Sequence, residues 1–213
     1  DVPSFDALLG GGFESSGKWM NFDSAGSVEN WQILSPYRNK EIIGTNGMNA
    51  LIQSTYRIPK PNFHRNTPSP LGVEGIRFAE KVINVQNQDR SSKKWRGTVW
   101  SRSLPMESCE YYTANGEIGI VTGLKDGCHF IQFSTQDGYI YNFHNGPLEE
   151  SPIELAYALT VHKAQGSGFR STILVLLEPD RGISPLVTRE MLYTSLTRQS
   201  EKVFVIYNKE PSE

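Results

Sequence analysis

The sequence has little cysteine, no long apolar run and almost no net charge. Its 213 residues include only Cys109 and Cys128, which are too few for a disulfide framework and do not show the paired spacing of a zinc site. No stretch approaches the roughly 18 apolar residues that a membrane-spanning helix requires, and the residues from Asp1 onward do not resemble a signal peptide. The composition therefore predicts a soluble cytoplasmic protein with no membrane partner and no bound metal.

Two further absences limit the function. The formal net charge of −2 argues against binding nucleic acid by bulk charge, although residues 57–102 carry a local net charge of +7. That stretch is either a basic face or a solvated loop, and its composition favours neither. The sequence also contains no G-x-x-x-x-G-K-[ST] phosphate loop, so it does not carry the main phosphate-binding motif of P-loop ATPases.

The most informative stretch of the chain is residues 156–169. Its first half has the apolar and hydroxyl residues typical of a strand, and it ends in the sequence Gln165-Gly166-Ser167-Gly168. A strand that runs into a glycine-bearing turn exposes backbone N–H groups, which can hold phosphate oxygens. The pattern therefore predicts an anion-binding turn.

A predicted helix and two predicted strands follow this turn. Thr188 is a suitable N-cap, and the apolar spacing after it predicts a helix that leaves Arg198 at its end. The runs 172–177 and 202–207 are apolar after their first residues, Thr172 and Lys202, which is typical of buried parallel strands. Strands that alternate with a helix predict an α/β fold with a parallel sheet.

The first 75 residues supply fewer signals. Residues 1–30 are rich in Gly, Ser and acids, and we interpret them as a linker or peripheral segment. Residues 31–34 predict a short strand that ends in Ser35-Pro36-Tyr37-Arg38, at the edge of the sheet where α/β proteins bind ligands. A helix capped by Thr45 or Asn46 should follow, and the prolines between 59 and 70 should mark a crossing between units.

Residues 76–148 predict a small all-β domain. Short alternating segments at 80–85, 116–123, 129–133 and 139–143 are separated by turn residues, including Asp137-Gly138. Four or five short strands with tight turns favour a small barrel. Its aromatic side chains either fill the barrel core or stack on unpaired bases; they are Trp95, Trp100, Tyr111, Tyr112, Tyr139, Tyr141 and Phe143.

These segments together resemble one protein family. Residues 156–169 closely resemble motif V, and residues 192–202 motif VI, of superfamily 1 DNA helicases of the RecD-like branch (the exonuclease V α-subunit type). Residues 115–121 resemble the Asn-Gly-acid-Ile-Gly block of the SH3-like barrel inserted in that branch, while Ala79 stands where the family usually has Gly. Residues 91–110 look like an expansion particular to this chain.

The resemblance implies a domain organisation. Residues 31–75 and 149–213 would form the second RecA-like motor domain, which is of the P-loop NTPase type but lacks the Walker A loop. Residues 76–148 would form the inserted SH3-like barrel. The first RecA-like domain of the same parent protein would bind most of ATP and its Mg²⁺. Other subunits of a nuclease–helicase complex for recombination and repair are a further class of partner that the resemblance implies.

The resemblance also assigns roles to individual residues. Arg198 would be the catalytic arginine finger, and Gln165, Gly166 and Arg38 would contact ATP beside it. Single-stranded DNA would be held by contacts from Thr160, His162, Lys163, Ser35 and Tyr37, and it would be tracked towards its 3′ end. This chain alone should not hydrolyse ATP.

Taken one by one, these residues have simpler interpretations. Arg198 could be a surface arginine favoured by the helix dipole, Thr160 a strand hydroxyl and His162 a partly buried histidine. Two rival functions also remain open at this point. One is a non-catalytic module that binds single-stranded nucleic acid, DNA or RNA, and the other is a structural subunit of a larger complex.

Overall fold

A computed structural model describes residues 5–13, 20–22, 25–57, 70–94, 107–125, 128–136, 139–144, 151–177 and 186–208. The chain divides into two compact units. The antiparallel unit comprises Asp1–Val28 and Thr55–Ala156, and the parallel unit comprises Glu29–Ser54 and Tyr157–Glu213. No helix within the described ranges is long and apolar enough to cross a membrane.

The elements are numbered in chain order. The helices are α1 (Phe5–Leu8), α2 (Thr45–Tyr56) and α3 (Arg189–Leu196), and a 3-10 helix covers Ala25–Asn30. The strands are β1 (Gly11–Phe13), β2 (Met20–Phe22), β3 (Trp31–Ser35), β4 (Lys81–Asn84), β5 (Gln88–Lys94), β6 (Glu107–Thr113), β7 (Ile118–Lys125), β8 (Cys128–Phe133), β9 (Tyr139–His144), β10 (Ile153–Leu155), β11 (Ala158–Thr160), β12 (Phe169–Val175) and β13 (Gln199–Ile206).

The parallel unit is built on a four-stranded sheet in the order β11-β3-β12-β13. All three pairings are parallel, so the α/β class and the parallel sheet that the sequence predicted are confirmed. Met48 of α2 packs with Ala158 and Val175 of the sheet, and Ile33 and Ile173 complete this cluster together with Leu177. Helix and sheet therefore bury one shared apolar face.

The last strand, β13, differs from its prediction. The apolar run 202–207 predicted a buried strand, but β13 lies at the edge of the sheet and pairs only with β12 among the described strands. Phe204 is 55% exposed and Ile206 47%, and Val205 and Tyr207 are exposed as well. An apolar run predicts a strand that can be buried, but it does not determine whether neighbouring elements cover that strand.

The antiparallel unit contains a seven-stranded sheet in the order β10-β4-β7-β8-β9-β5-β6. The predicted strands at 80–85, 116–123, 129–133 and 139–143 correspond to β4, β7, β8 and β9. Tyr141 and Phe143 are buried and pack beside Phe133, with ring centroids 5.6 and 6.3 Å from it. These two aromatic side chains therefore fill the core, whereas Tyr112 is 51% exposed.

In several segments the structure differs from the interpretation based on the sequence. The expansion at residues 91–110 contains part of a paired ladder, because β5 pairs with β6 over seven residues of each strand. Residues 153–155, assigned to the α/β domain, instead pair with β4. Within the predicted linker 1–30, β1 and β2 form a two-stranded sheet, and Leu9 and Val28 are buried. The prolines at 59–68, the Asp137-Gly138 turn, Trp95 and Trp100 lie outside the described residues.

One turn of the antiparallel unit has an unusual backbone. Ala79 has a φ of 62°, the left-handed conformation that favours glycine. It is also the position at which the family resemblance calls for Gly. Its N–H donates to Val121 O at 2.8 Å, so the turn is kept in place although the residue that suits it is missing.

Candidate functional site

The candidate site is centred on a turn that leaves β11 at the carboxyl end of the parallel sheet. This glycine turn comprises residues 161–168. Val161 N–H donates to Ser35 O at 3.2 Å, and Ala164 N–H donates to Thr160 O at 3.1 Å. The side chains of Val161 and Ala164 are buried. The base of the turn is therefore held by the sheet and by its own apolar residues.

The polar side chains of the glycine turn point to solvent. His162 and Gln165 are exposed, and Thr160 and Lys163 are half-buried. The Thr160 hydroxyl accepts a hydrogen bond from the Lys163 N–H at 3.3 Å, which bends the chain directly after β11. The predicted DNA-side and ATP-side residues of this stretch thus lie on one short, anchored turn.

The glycines of this turn leave backbone donors open. Gly166 has a φ of 86°, a conformation that disfavours any side chain, and no heavy atom lies within 4 Å of where its Cβ would be. The turn therefore requires glycine because of its backbone conformation, and a Cβ would meet no protein atom. The N–H groups of Gly166 and Gly168 make no hydrogen bond to another described residue. Open N–H groups in such a turn are suited to an anion.

Arg198 lies against the glycine turn. Its Nη1 donates to Ser167 O at 3.4 Å, its Nε to Thr194 O at 3.1 Å and its Nη2 to the Thr197 hydroxyl at 3.3 Å. The Phe169 N–H donates to Arg198 O at 2.7 Å, which is a second link between the two segments. Because a guanidinium has five N–H groups, these three bonds leave two donors for an anion beside the open glycine N–H groups.

Helix α3 sets the position of Arg198. Thr188 is the N-cap, and its hydroxyl accepts from Met191 N–H at 3.2 Å, as the sequence predicted. The pKa of Glu190 is lowered because its carboxylate accepts hydrogen bonds from its own N–H and from the Thr188 hydroxyl. Met191 and Ser195 face inward. The helix therefore has a fixed start and a fixed face, and the chain leaves it at Arg198.

The turn after β3 is closely packed. Ser35 and Tyr37 are buried, and the Ser35 hydroxyl donates to Ile43 O at 2.8 Å. The first N–H groups of α2 are occupied, because Thr45 N–H donates to Tyr37 O at 2.9 Å and Asn46 N–H to Arg38 O at 3.1 Å. Of the three predicted site residues in this loop, Ser35, Tyr37 and Arg38, only Arg38 has an exposed side chain. Ser35 and Tyr37 thus hold the loop with side chains turned inward, and their contact with DNA remains a prediction.

Sequence reasoning missed two buried amides that hold β11. Gln32 Nε2 donates to Tyr157 O at 3.0 Å, and the Asn49 side chain contacts both backbone groups of Ala158. A signal was present for the second one. Thr45, Asn49 and Gln53 recur every four residues on α2 and are all buried, so one stripe of the helix buries polar side chains.

The described residues contain no group of three or more His, Cys, Asp or Glu side chains that could hold a metal ion. Within the described residues, the polar groups gathered at the glycine turn are donors, namely N–H groups, an amide and a guanidinium. Such a set is suited to phosphate oxygens.

Comparison with known proteins gives the class of the parallel unit. Residues 155–206 match the model of the UvrD-like helicase C-terminal domain, a range that includes β11, the glycine turn, β12, α3 and β13. This part of the chain is therefore similar to the C-terminal domain of UvrD-like helicases.

Within that class the relatives are of the RecD type, as the sequence predicted. The chain is 37% identical to the RecBCD enzyme subunit RecD of Mycobacterium tuberculosis over 150 residues, 67% of this chain and 23% of the relative. It is 33% identical to the ATP-dependent RecD2 DNA helicase of Deinococcus radiodurans over 90 residues, 42% of this chain and 12% of the relative.

A third relative matches more of the chain. An uncharacterized protein of Methanocaldococcus jannaschii is 31% identical over 194 residues, 89% of this chain and 16% of the relative. The chain thus spans between about an eighth and a quarter of the length of these curated relatives. Among solved structures, the Pif1 helicase from Bacteroides in complex with ADP-AlF3 and single-stranded DNA superposes with a TM-score of 0.44 at 16% identity, over 83% of this chain and 40% of that one.

Proposed function

We propose that the chain is the C-terminal part of an ATP-dependent helicase or translocase that acts on single-stranded DNA. The observation that supports this most directly is the contact between Arg198 and Ser167 O beside the open N–H groups of Gly166 and Gly168. A positive group next to free backbone donors is what a phosphoryl group requires as its charge redistributes during transfer. The names of the RecD and RecD2 relatives support the same proposal.

Each predicted ATP-side residue has a defined task in this proposal. The N–H groups of Gly166 and Gly168 and the Gln165 amide bind the terminal phosphate. Arg198 and the exposed Arg38 supply positive charge when a first RecA-like domain, outside this sequence, closes on them. That domain holds most of ATP and its Mg²⁺, and ATP hydrolysis supplies the free energy for movement.

The DNA side is proposed to use the other half of the same turn. Thr160, His162 and Lys163 present a hydroxyl, an imidazole and an ammonium group, which can hold the phosphates of one strand without reading its sequence. Ser35 and Tyr37 contribute by holding the adjacent loop. Movement is towards the 3′ end of the tracked strand, in a protein of the cytoplasm that works with other subunits in recombination and repair.

The antiparallel unit is proposed to close into the SH3-like barrel and to steer the DNA. Its seven antiparallel strands and its core of β-branched and aromatic residues support a barrel. The exposed Tyr112 is the stacking residue that the described part of this unit offers to a base.

The decisive experiment is the ATPase activity of the parent protein with single-stranded DNA. We expect Arg198→Ala to lower kcat by a factor on the order of 10³, because the finger stabilises the charge of the transition state. Arg189→Ala removes an exposed arginine from the other end of α3 and is the matched control. The 213-residue chain should hydrolyse no ATP by itself.

Two results would contradict the proposal. Equal ATPase activity of Arg198→Ala and Arg189→Ala would leave a module that only binds nucleic acid, or a structural subunit. DNA-stimulated ATPase activity of the 213-residue chain would show that the site does not need a second motor domain. A strand-displacement assay with a single-stranded tail on either end of the duplex tests the direction of movement.

A further inference from the structure

The strand that leads into the glycine turn is short and lies at a sheet edge. β11 has three residues, and it is the first strand in the order β11-β3-β12-β13. One side of it bonds to β3, through Tyr157 O to Ile33 N–H at 3.3 Å and Ser35 O to Val161 N–H at 3.2 Å. The backbone groups on its other side need different partners, because unpaired buried groups are costly.

A single side chain of α2 supplies two of these partners. Asn49 Oδ1 accepts from Ala158 N–H at 2.7 Å, and Asn49 Nδ2 donates to Ala158 O at 3.1 Å. Asn49 is 3% exposed and Ala158 1%, so water does not substitute for these bonds. The amide therefore acts towards β11 as a neighbouring strand would, with one donor and one acceptor.

The glycine turn itself satisfies the outward-facing carbonyl group of Thr160. Thr160 O, two residues beyond Ala158, accepts from Ala164 N–H at 3.1 Å. The outer edge of β11 is thus held at two places. The Asn49 amide bonds to Ala158, and the first hydrogen bond of the turn holds Thr160 O. If the Asn49 bonds are lost, we expect the strand to fray from Ala158. The Thr160 hydroxyl and the glycine turn are then no longer held in place relative to the sheet.

We propose that Asn49 is a positioning residue for the site, which couples helix α2 to the glycine turn through Ala158. The proposal rests on the proposed function in that the turn is taken to bind DNA and ATP. Asn49 itself touches neither ligand and acts through the backbone of β11. The coupling explains why a polar side chain occupies the inward stripe of α2 beside Met48, which packs on the same strand.

The test uses Asn49→Asp in the 213-residue chain. An ionised aspartate accepts from Ala158 N–H but repels Ala158 O, whereas a protonated aspartic acid has the same donor and acceptor pattern as asparagine. Burial raises the pKa of such a carboxyl above its ordinary value, so the protonated form is reached at mildly acidic pH. Asn39→Asp makes the same chemical change at an exposed position of the loop before α2 and is the matched control, because Asn39 Oδ1 only accepts from Asn46 Nδ2, at 2.8 Å, and aspartate keeps this bond.

Two quantities are measured at pH 8 and at pH 5.5, each relative to wild type at the same pH. They are the hydrogen-exchange protection of amides 158–165 and the affinity for a fluorescent oligo(dT). We expect Asn49→Asp to lose protection on the order of 10- to 100-fold at pH 8, to weaken DNA binding, and to recover both at pH 5.5. Asn39→Asp should match wild type at both pH values. Exchange of β7 and β8 shows whether the rest of the chain is folded.

If Asn49→Asp is unfolded throughout at pH 8, Asn49→Ser, which keeps one hydrogen-bonding group, should show an intermediate loss. Wild-type protection of amides 158–165 in Asn49→Asp at pH 8, or a loss that pH 5.5 does not reverse, would overturn the proposal. So would a loss of protection with unchanged DNA affinity. If the wild-type chain binds no oligo(dT), the proposed DNA site is wrong, and the exchange measurement still decides whether Asn49 holds the turn.

Discussion

One turn in each unit shows two different uses of polar side chains. In the antiparallel unit, the Glu117 carboxylate accepts from Thr135 Oγ1 and Gln136 Nε2, both at 2.7 Å, and from Ala114 N–H at 3.0 Å. One side chain thus ties the turn before β7 to the turn after β8. In the parallel unit, His162 and Gln165 point to solvent from an anchored turn.

This difference separates the structural residues from the candidate site. Polar groups whose partners lie within the protein stabilise a turn, and they have little left to offer a ligand. Polar groups that a rigid base presents to solvent are available for binding. We therefore expect changes in the antiparallel unit to act mainly on stability, and changes at the glycine turn to act mainly on binding.

The largest expected effect on stability is the loss of the His129 contribution in acid. It tests whether a buried polar group of the antiparallel unit acts on the free energy of unfolding. His129 is fully buried, and desolvation lowers its pKa to about 4, although the bond between its ring and Ile76 O opposes the shift. The unfolded chain takes up the proton near the ordinary pKa of 6.5, while the folded chain resists it. The contribution of His129 is therefore complete above pH 6.5 and is lost as pH falls towards 4, by on the order of 3 kcal/mol.

Denaturant unfolding followed by circular dichroism between pH 7 and pH 4.5 measures this loss. His129→Gln does not titrate and can still donate to Ile76 O, so its free energy of unfolding should fall less steeply with acid than that of wild type. The difference between the two curves isolates His129 from the carboxyl groups of the chain. Parallel curves would mean that His129 takes up its proton as easily in the folded protein as in the unfolded chain.

A smaller effect is expected from two glycines of the same turn. Gly166→Ala should cost about 1 kcal/mol of stability, because its φ of 86° is unfavourable for alanine. Gly168 also has open space around its Cβ position but has no positive φ, so Gly168→Ala should change stability by less than about 0.5 kcal/mol. Thermal unfolding of both variants makes the comparison, and equal costs would show that backbone conformation is not the reason for Gly166.

A change in the turn before β4 should have an effect of the opposite sign. Ala79→Gly places the residue that suits a φ of 62° in the turn before β4, and we expect a gain of about 0.5 to 1 kcal/mol. The gain is limited because glycine also makes the unfolded chain more flexible. A lower melting temperature for this variant would mean that the methyl group of Ala79, which is buried, contributes more than the backbone strain costs.

Much of the fold followed from local sequence patterns. Helix α3 was predictable because Thr188 is a strong cap and the apolar spacing after it is regular. Strands β3, β8 and β9 were predictable because their apolar residues stand between turn residues. Strand β5 was missed, since its sequence from Gln88 to Lys94 is polar throughout and only its pairing with β6 and β9 makes it a strand.

The parts of the candidate site that depend on local sequence features could be predicted. The glycine turn and Arg198 could be identified, because a strand that ends in glycines and an arginine at a helix end are local features. The polar stripe on α2 was a signal that Asn49 is buried, but its partner could not be predicted, since the residues that the contact joins are 109 positions apart. The burial of Ser35 and Tyr37 was also missed, because it depends on how tightly the loop before α2 folds back.

The exposed strand β13 has a practical consequence. One of its edges has no partner among the described strands, and Phe204, Val205 and Ile206 are exposed beside that edge. Only Glu201 and Lys202 place charges along it, and both precede the apolar part. An apolar edge without charges at its centre is a template for aggregation. We therefore expect a charged substitution at Phe204 to improve the solubility of the isolated chain. We also expect β13 to limit the concentration that the wild-type chain reaches in solution.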